Sequence, residues 1–168
     1  MHLNTLDGLF VEQLEDLYSA ESQIVQALPK MAQAASSPDL KQAFQLHLQQ
    51  SQEHIRRLDR VFNALNQSHS GKTCEAMVGL IKEGEEVIRA TGDAAVKDAA
   101  LIAAAQRVEH YEMAGYGAVR TYAKELGYTE AENLLQQTLN EEGETDKKLT
   151  KLAEGTFFTS GINREASR

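Results

Sequence analysis

Between Leu101 and Tyr122 an apolar stripe recurs at steps of three and four residues, through Ala105, Val108, Tyr116 and Val119. That spacing follows one face of a helix. The stripe breaks in its middle, where Glu109 and Glu112 stand in place of core residues. Three more stretches repeat the pattern. Phe10, Leu14 and Leu17 lead to Glu21, after which Ile24, Leu28 and Met31 resume the stripe. Phe44 and Leu48 lead to Ser51 and His54, then Leu58, Phe62 and Leu65. Leu135 and Leu139 lead to Glu142 and Thr145, then Leu149 and Leu152. Four apolar helix faces bury one another only when the helices lie side by side. Such a chain folds as an all-α four-helix bundle whose polar residues meet at mid-height.

The punctuation agrees. Only two prolines occur, and no β-branched run is bounded by hairpin turns. Ser37 is placed to cap a helix that has Pro38 at its first position and Asp39 in its first turn. Gly92 followed by Asp93 ends one helix and caps the next, Gly127 suits a left-handed C-cap, and Thr129 with Glu132 spells a capping box. The expected helices are 4–35, with Pro29 a candidate kink, 38–66, a shorter crossing helix at 73–91, then 94–126 and 129–153. The bundle domain is expected over 1–155. The tail 156–168 has no period and reads as loosely held, with Phe157 and Phe158 as its anchors.

Bulk properties exclude several classes. A chain of 168 residues suits one domain. No apolar run approaches the ~18 residues of a membrane span. The start, MHLNTLDGLF, is not basic and leads into no apolar signal core, so secretion is not expected. The single Cys74 rules out an internal disulfide and suits a reducing cytoplasm. A net charge of -8 argues against nucleic acid or an anionic membrane as partner, the local cluster Arg56, Arg57 and Arg60 notwithstanding.

The two halves also resemble each other. A shift of 91 residues lays 47–58 on 138–149, matching Leu48 with Leu139 and Leu58 with Leu149. It carries Glu21 onto Glu112 and Ser51 onto Glu142. Two copies of one helical hairpin explain this. So does chance, because 91 is a multiple of the heptad and any two amphipathic helices align at such a shift.

Carboxylates facing a core are costly unless paired, protonated or bound to a cation, and several together repel. Glu21, Glu109, Glu112 and Glu142, with His54, are therefore the candidate metal ligands. Hard oxygen donors with imidazole suit iron or manganese better than copper. Bland readings stand beside each. Glu109 lies one step off its stripe, Glu142 heads the acidic run EEGETD with Glu141 as competitor, and a histidine beside an apolar residue is often only hydrogen-bonded in the core. His47 reads as structural, His110 as exposed or at an interface. Tyr18, Tyr111 and Tyr116 read as core packing, with Tyr18 able to reach a bridging carboxylate, and Cys74 as inert.

The stretches EDLYSAESQ, HLQQSQEHIRRLDRVF, DAALIAAAQRVEHYEMAGYG and LNEEGETDKKLTKLA resemble the bacterial YciE/YciF stress-protein family. The resemblance implies a ferritin-like bundle related to rubrerythrin, a homodimer and a di-iron centre. In the ferritin-like pattern a Glu on the first long helix, Glu-x-x-His on the second, one or two Glu on the third and Glu-x-x-His on the fourth hold the metals. Glu21, His54, Glu109, Glu112 and Glu142 match it. Ser51 stands where the second helix should carry Glu, and Thr145 where the fourth should carry His. A single metal, or a loose pair completed by Glu53, Asp146 or water, fits such a set. The function expected is that of a stress-associated protein that binds iron or manganese and, if redox-active, oxidises Fe(II) with oxygen or peroxide. The alternative is a structural or protein-binding helical module whose ancestral site has decayed. No CxxC pair is present to supply rubrerythrin's electron-transfer module.

Overall fold

The computed structural model describes residues 4–69, 71–157 and 159–168. Six helices follow one another: α1 (Leu6–Ala34), α2 (Pro38–Ala64), α3 (Glu75–Arg89), α4 (Ala94–Glu125), α5 (Thr129–Glu154) and the short α6 (Ile162–Ala166). The long helices pack α1 on α2 and α4 on α5. These pairs close into a bundle through α2 on α5 and α1 on α4, while α3 lies across α1 and α4. The fold is all-α, a four-helix bundle with a crossing helix, as the stripes require, and consistent with the ferritin-like architecture that the resemblance implies.

The helix ends follow local chemistry. Ser37 Oγ accepts from the Leu40 amide with Pro38 at the first position of α2, and Asp93 accepts from the Ala95 and Val96 amides. α4 stops where Gly127 turns left-handed at φ 76°, letting the Tyr128 and Gly127 amides close on the Ala123 and Lys124 carbonyls. That closure starts α5 one residue earlier than the capping box requires. Thr129 is already helical, Tyr128 holds the cap position, and no side-chain cap forms. Pro29 sits inside α1 without ending it.

Two apolar cores fill the ends of the bundle. One gathers Ile24, Leu28, Leu40, Phe44, Met77, Leu101 and Leu149; the other gathers Phe10, Leu14, Leu17, Leu58, Phe62, Val119 and Leu135. Each large side chain removed from water contributes about 1.5–3 kcal/mol. The cores are the reserve against which a polar layer can be held. That layer comprises Glu21, His47, Ser51, His54, Glu109, Glu112, Thr138, Glu142 and Thr145, all buried. The 91-residue shift persists in three dimensions: Ser51, His54 and Leu58 are buried on α2, as are their counterparts Glu142, Thr145 and Leu149 on α5. One further buried carboxylate, Asp98, is structural. It accepts from the Ser36 and Ser37 amides at 2.8 and 2.7 Å and so ties the α1–α2 turn to α4.

The tail differs from expectation in what anchors it. Phe157 is 96% exposed, and Phe158 lies outside the described residues. The buried residues are Gly161 and Ile162, and α6, which begins at Ile162, packs against α4 and α5.

Candidate metal centre

The four long helices deliver their mid-height side chains to one place. Three donor residues, Glu21 from α1, His54 from α2 and Glu142 from α5, bring ligand atoms within 4.8 Å of one another. Four others do the same: His47 from α2, Glu109 and Glu112 from α4, and again Glu142. Glu142 belongs to both groups and joins them. All six residues are at most 2% exposed.

His54 is the best-connected member. Its Nδ1 lies 3.0 Å from Glu21 Oε1 and 2.9 Å from Glu142 Oε1, only the first with hydrogen-bond geometry. Its Nε2 lies 2.7 Å from Glu141 Oε2. Glu141 is in turn gripped by Arg57 through two bonds of 2.7 and 2.8 Å, and Arg57 also donates to Thr138. Glu141, 29% exposed, therefore orients His54 from outside, while Glu142 faces inward. The competition between these neighbouring glutamates resolves into two different positions. Tyr116 donates to Glu21 Oε1 at 2.7 Å.

Many donor atoms have no partner. Glu21 Oε2, Glu109 Oε2, both Glu112 oxygens, both Glu142 oxygens, both His47 nitrogens and Ser51 Oγ are buried without a hydrogen-bond partner, Glu142 Oε1 despite the His54 ring 2.9 Å away. His47 Nε2 comes within 3.3 Å of Glu109 Oε1 without making a hydrogen bond. Native interiors leave few such atoms, because each costs about 1–3 kcal/mol. Here nearly all carry lone pairs and converge. A protein-only network would supply donors to them; a cation would satisfy them together. The residues fit a metal.

The electrostatics point the same way. Burial pushes the Glu112 carboxyl well above its usual range, and the charge of Glu21 adds to it. Burial does the same to Glu109, reinforced by Glu142. Burial also raises Glu21, although His54 opposes it. For Glu142 burial is outweighed by His54 and His47, and its carboxyl titrates below the ordinary range. Burial lowers His47, which leaves a neutral imidazole with a free lone pair. His54 is also disfavoured by burial as a cation, but Glu142 and Glu21 lift it to about 10. Without a metal, the fold favours the imidazolium of His54 and the neutral forms of Glu109 and Glu112.

All five residues singled out from the sequence meet here. His47, read from the sequence as structural, also stands in the second group. The signal was its spacing of seven residues from His54, two turns on the same face of α2. The two substitutes named for the missing ligands do not reach the cluster. Glu53 is half-exposed and pairs with Arg56 at 2.7 Å, and Asp146 accepts from Gln106 at 3.0 Å. Thr145 turns its hydroxyl to Gln50. Tyr18 packs against the core, as expected, and stacks on His69 at 4.0 Å; the tyrosine that reaches a cluster carboxylate is Tyr116. His110 is exposed as expected.

A family model described as a domain of unknown function, DUF892, matches residues 5–166. Protein YciF of Escherichia coli strain K12 is 49% identical over 167 residues, 99% of this chain and 98% of its own length. The chain belongs to the DUF892 family. This YciF-like chain also superposes on solved structures. The crystal structure of the E. coli stress protein YciF matches with a TM-score of 0.87 at 48% identity, covering 89% of this chain and 95% of that one. YcfI of Rhodopseudomonas palustris, named as a candidate structural protein, matches with a TM-score of 0.86 at 44% identity, covering 90% and 96%. A Xanthomonas campestris protein at 22% identity, covering 88% and 89%, shares the fold with a TM-score of 0.68. No described helix is long and apolar enough to cross a membrane.

Proposed function

We propose that this YciF-like chain binds a pair of iron or manganese ions in the mid-bundle layer and serves a stress response through their redox chemistry. The observation that carries the reading is the convergence of unpaired buried carboxylate and imidazole atoms on two donor groups that share Glu142. Glu21 and His54 would hold one ion, His47, Glu109 and Glu112 the other, with Glu142 common to both. Bound there, the metals would supply electron exchange with oxygen or peroxide. The protein's own contribution is to keep water out with the two apolar cores, to fix the His54 ring through Glu141 and Arg57, and to hold a proton on Tyr116 against Glu21. His47 replaces the histidine absent at position 145, so the set does not depend on Ser51 or Thr145.

Calorimetric titration of metal-stripped protein with Mn(II) or Fe(II) tests this. Two ions per chain are expected, and His47→Ala should leave one. At free metal about 100-fold above the dissociation constant, the gain in stability is about 2.7 kcal/mol. A melting temperature that ignores Fe(II), Mn(II) and Zn(II) would sink the reading in favour of a helical structural module, the class named for the R. palustris relative. A cytoplasmic homodimer is part of the same proposal; light scattering should give about twice the 18.6 kDa of one chain.

A further inference from the structure

The crossing helix α3 covers a cavity that the metal layer does not explain. It lies between α1, α3 and α4 and has a free volume of about 30 Å³. Its walls are apolar, among them Ile24, Ile81, Ala104 and Val108. At the outer end sit Lys30 and Glu85, paired at 3.0 Å. At the inner end sit His47 and Glu109, members of the second donor group.

Two further observations identify this space as more than loose packing. Gly84, on α3, is buried, yet a Cβ built on it would meet nothing within 4 Å. A buried glycine beside packed helices normally marks close approach; this one borders open room. Beyond it the His47 imidazole, 2% exposed, has no hydrogen-bond partner on either nitrogen. A water molecule requires about 10–15 Å³ of such volume and two to four polar partners. The cavity has the volume for a small molecule, and polar partners stand only at its two ends, Lys30 and Glu85 at one and His47 and Glu109 at the other, with apolar walls between them. It favours an uncharged apolar occupant of two or three heavy atoms.

We infer that the cavity beneath α3 is a binding site for a small apolar diatomic molecule, dioxygen in chemical class, that opens on His47 and Glu109. The apolar walls exclude ions and most water, and the Lys30–Glu85 pair marks the outer mouth. The role of the site as an approach to bound metal rests on the reading above; the cavity's affinity for the gas does not.

Dissolved dioxygen is its own probe, because it is paramagnetic and speeds the relaxation of nearby protons. Metal-free protein under several bar of oxygen, with nitrogen at equal pressure as reference, should show the effect concentrated on the Ile81, Ala104 and Ala105 methyls and the His47 ring. The enhancement there should be at least threefold above that of Val119 and Leu135 in the opposite core. Gly84→Leu, which places a side chain in the cavity, should abolish the excess. Gly84→Ala, which meets nothing within 4 Å, should fold normally and reduce it. Uniform enhancement through both cores, or an unchanged pattern in the folded Gly84→Ala or Gly84→Leu protein, would overturn the inference. Mn(II) calorimetry on the same samples separates the two readings. A localised oxygen effect without metal binding defeats the metal centre alone, and metal binding with a uniform oxygen effect defeats the cavity alone.

Discussion

Glu112 has both carboxylate oxygens buried and neither paired. Removing a group in that position distinguishes a metal centre from a salt-bridge network. Glu112→Gln keeps the shape, removes the cost of burying an ionisable carboxyl and adds an amide that can donate to the neighbouring carboxylates. In metal-free protein it should stabilise by about 1–3 kcal/mol, the size of one relieved unsatisfied group. That is a rise of roughly 2–12 °C in Tm for a chain of this size. Metal binding should fall below detection. In a network that had paired Glu112 with a cation, the same change would instead cost about 3–5 kcal/mol. Calorimetric unfolding of the stripped variant reads the sign directly. At this scale the sequence was informative for carboxylates and weak for histidines. A Glu in an apolar stripe is anomalous whatever its neighbours, so Glu21 and Glu112 stood out. His47 was not anomalous, because a core imidazole satisfied by one hydrogen bond is common. Only the absence of that bond, visible in three dimensions, separates it.

The elements were legible because their signals are local. Stripe spacing, Ser37–Pro38, Gly92–Asp93 and Gly127 each act within a few residues, and the helices form where those signals place them. The capping box at Thr129 failed for a reason outside its own four residues: the closure after Gly127 fixed where the next helix could begin. Tail packing was not legible, since exposure of Phe157 and burial of Ile162 depend on where α4 and α5 present a surface. Close approach between helices is equally invisible in one sequence. At Gly115, on α4, an added Cβ would stand 2.8 Å from Leu17 Cδ2 on α1, and Leu17 is itself buried. This contact sets the spacing of the two helices that carry Glu21 and Glu112. Gly115→Val should therefore destabilise by about 1–3 kcal/mol through overpacking, despite the better helix propensity of valine over glycine. It should also weaken Mn(II) binding by separating α1 from α4. Equal stability and affinity in denaturant unfolding and calorimetry would show that Leu17 moves aside freely.

For the whole molecule, the polar layer makes stability depend on pH in a direction opposite to that of an ordinary acid-labile protein. Glu109 and Glu112 titrate above their ordinary 4.5 in the fold, so folding favours their neutral forms. That contribution is complete below pH 4.5 and is lost as pH rises through the elevated values. His54, lifted from 6.5 to about 10, favours its charged form; its contribution is complete below pH 6.5 and gone above pH 10. Both losses run in the same direction. Glu142, depressed below 4.5, opposes them only in acid, where its contribution disappears as pH falls, and His47, lowered by burial, opposes them only up to its ordinary 6.5. Metal-free protein should thus melt at progressively lower temperature from about pH 7 to pH 9. Bound metal would reverse the trend, because it would require Glu109 and Glu112 ionised and His54 neutral. Affinity should rise with pH, and the gap between loaded and stripped melting temperatures should widen over the same interval. Scanning calorimetry of both forms across that range checks it. A stripped protein whose stability climbs with pH would mean that the buried carboxylates are ionised and paired. The layer would then hold the helices together by itself, leaving no positive charge for a metal to supply.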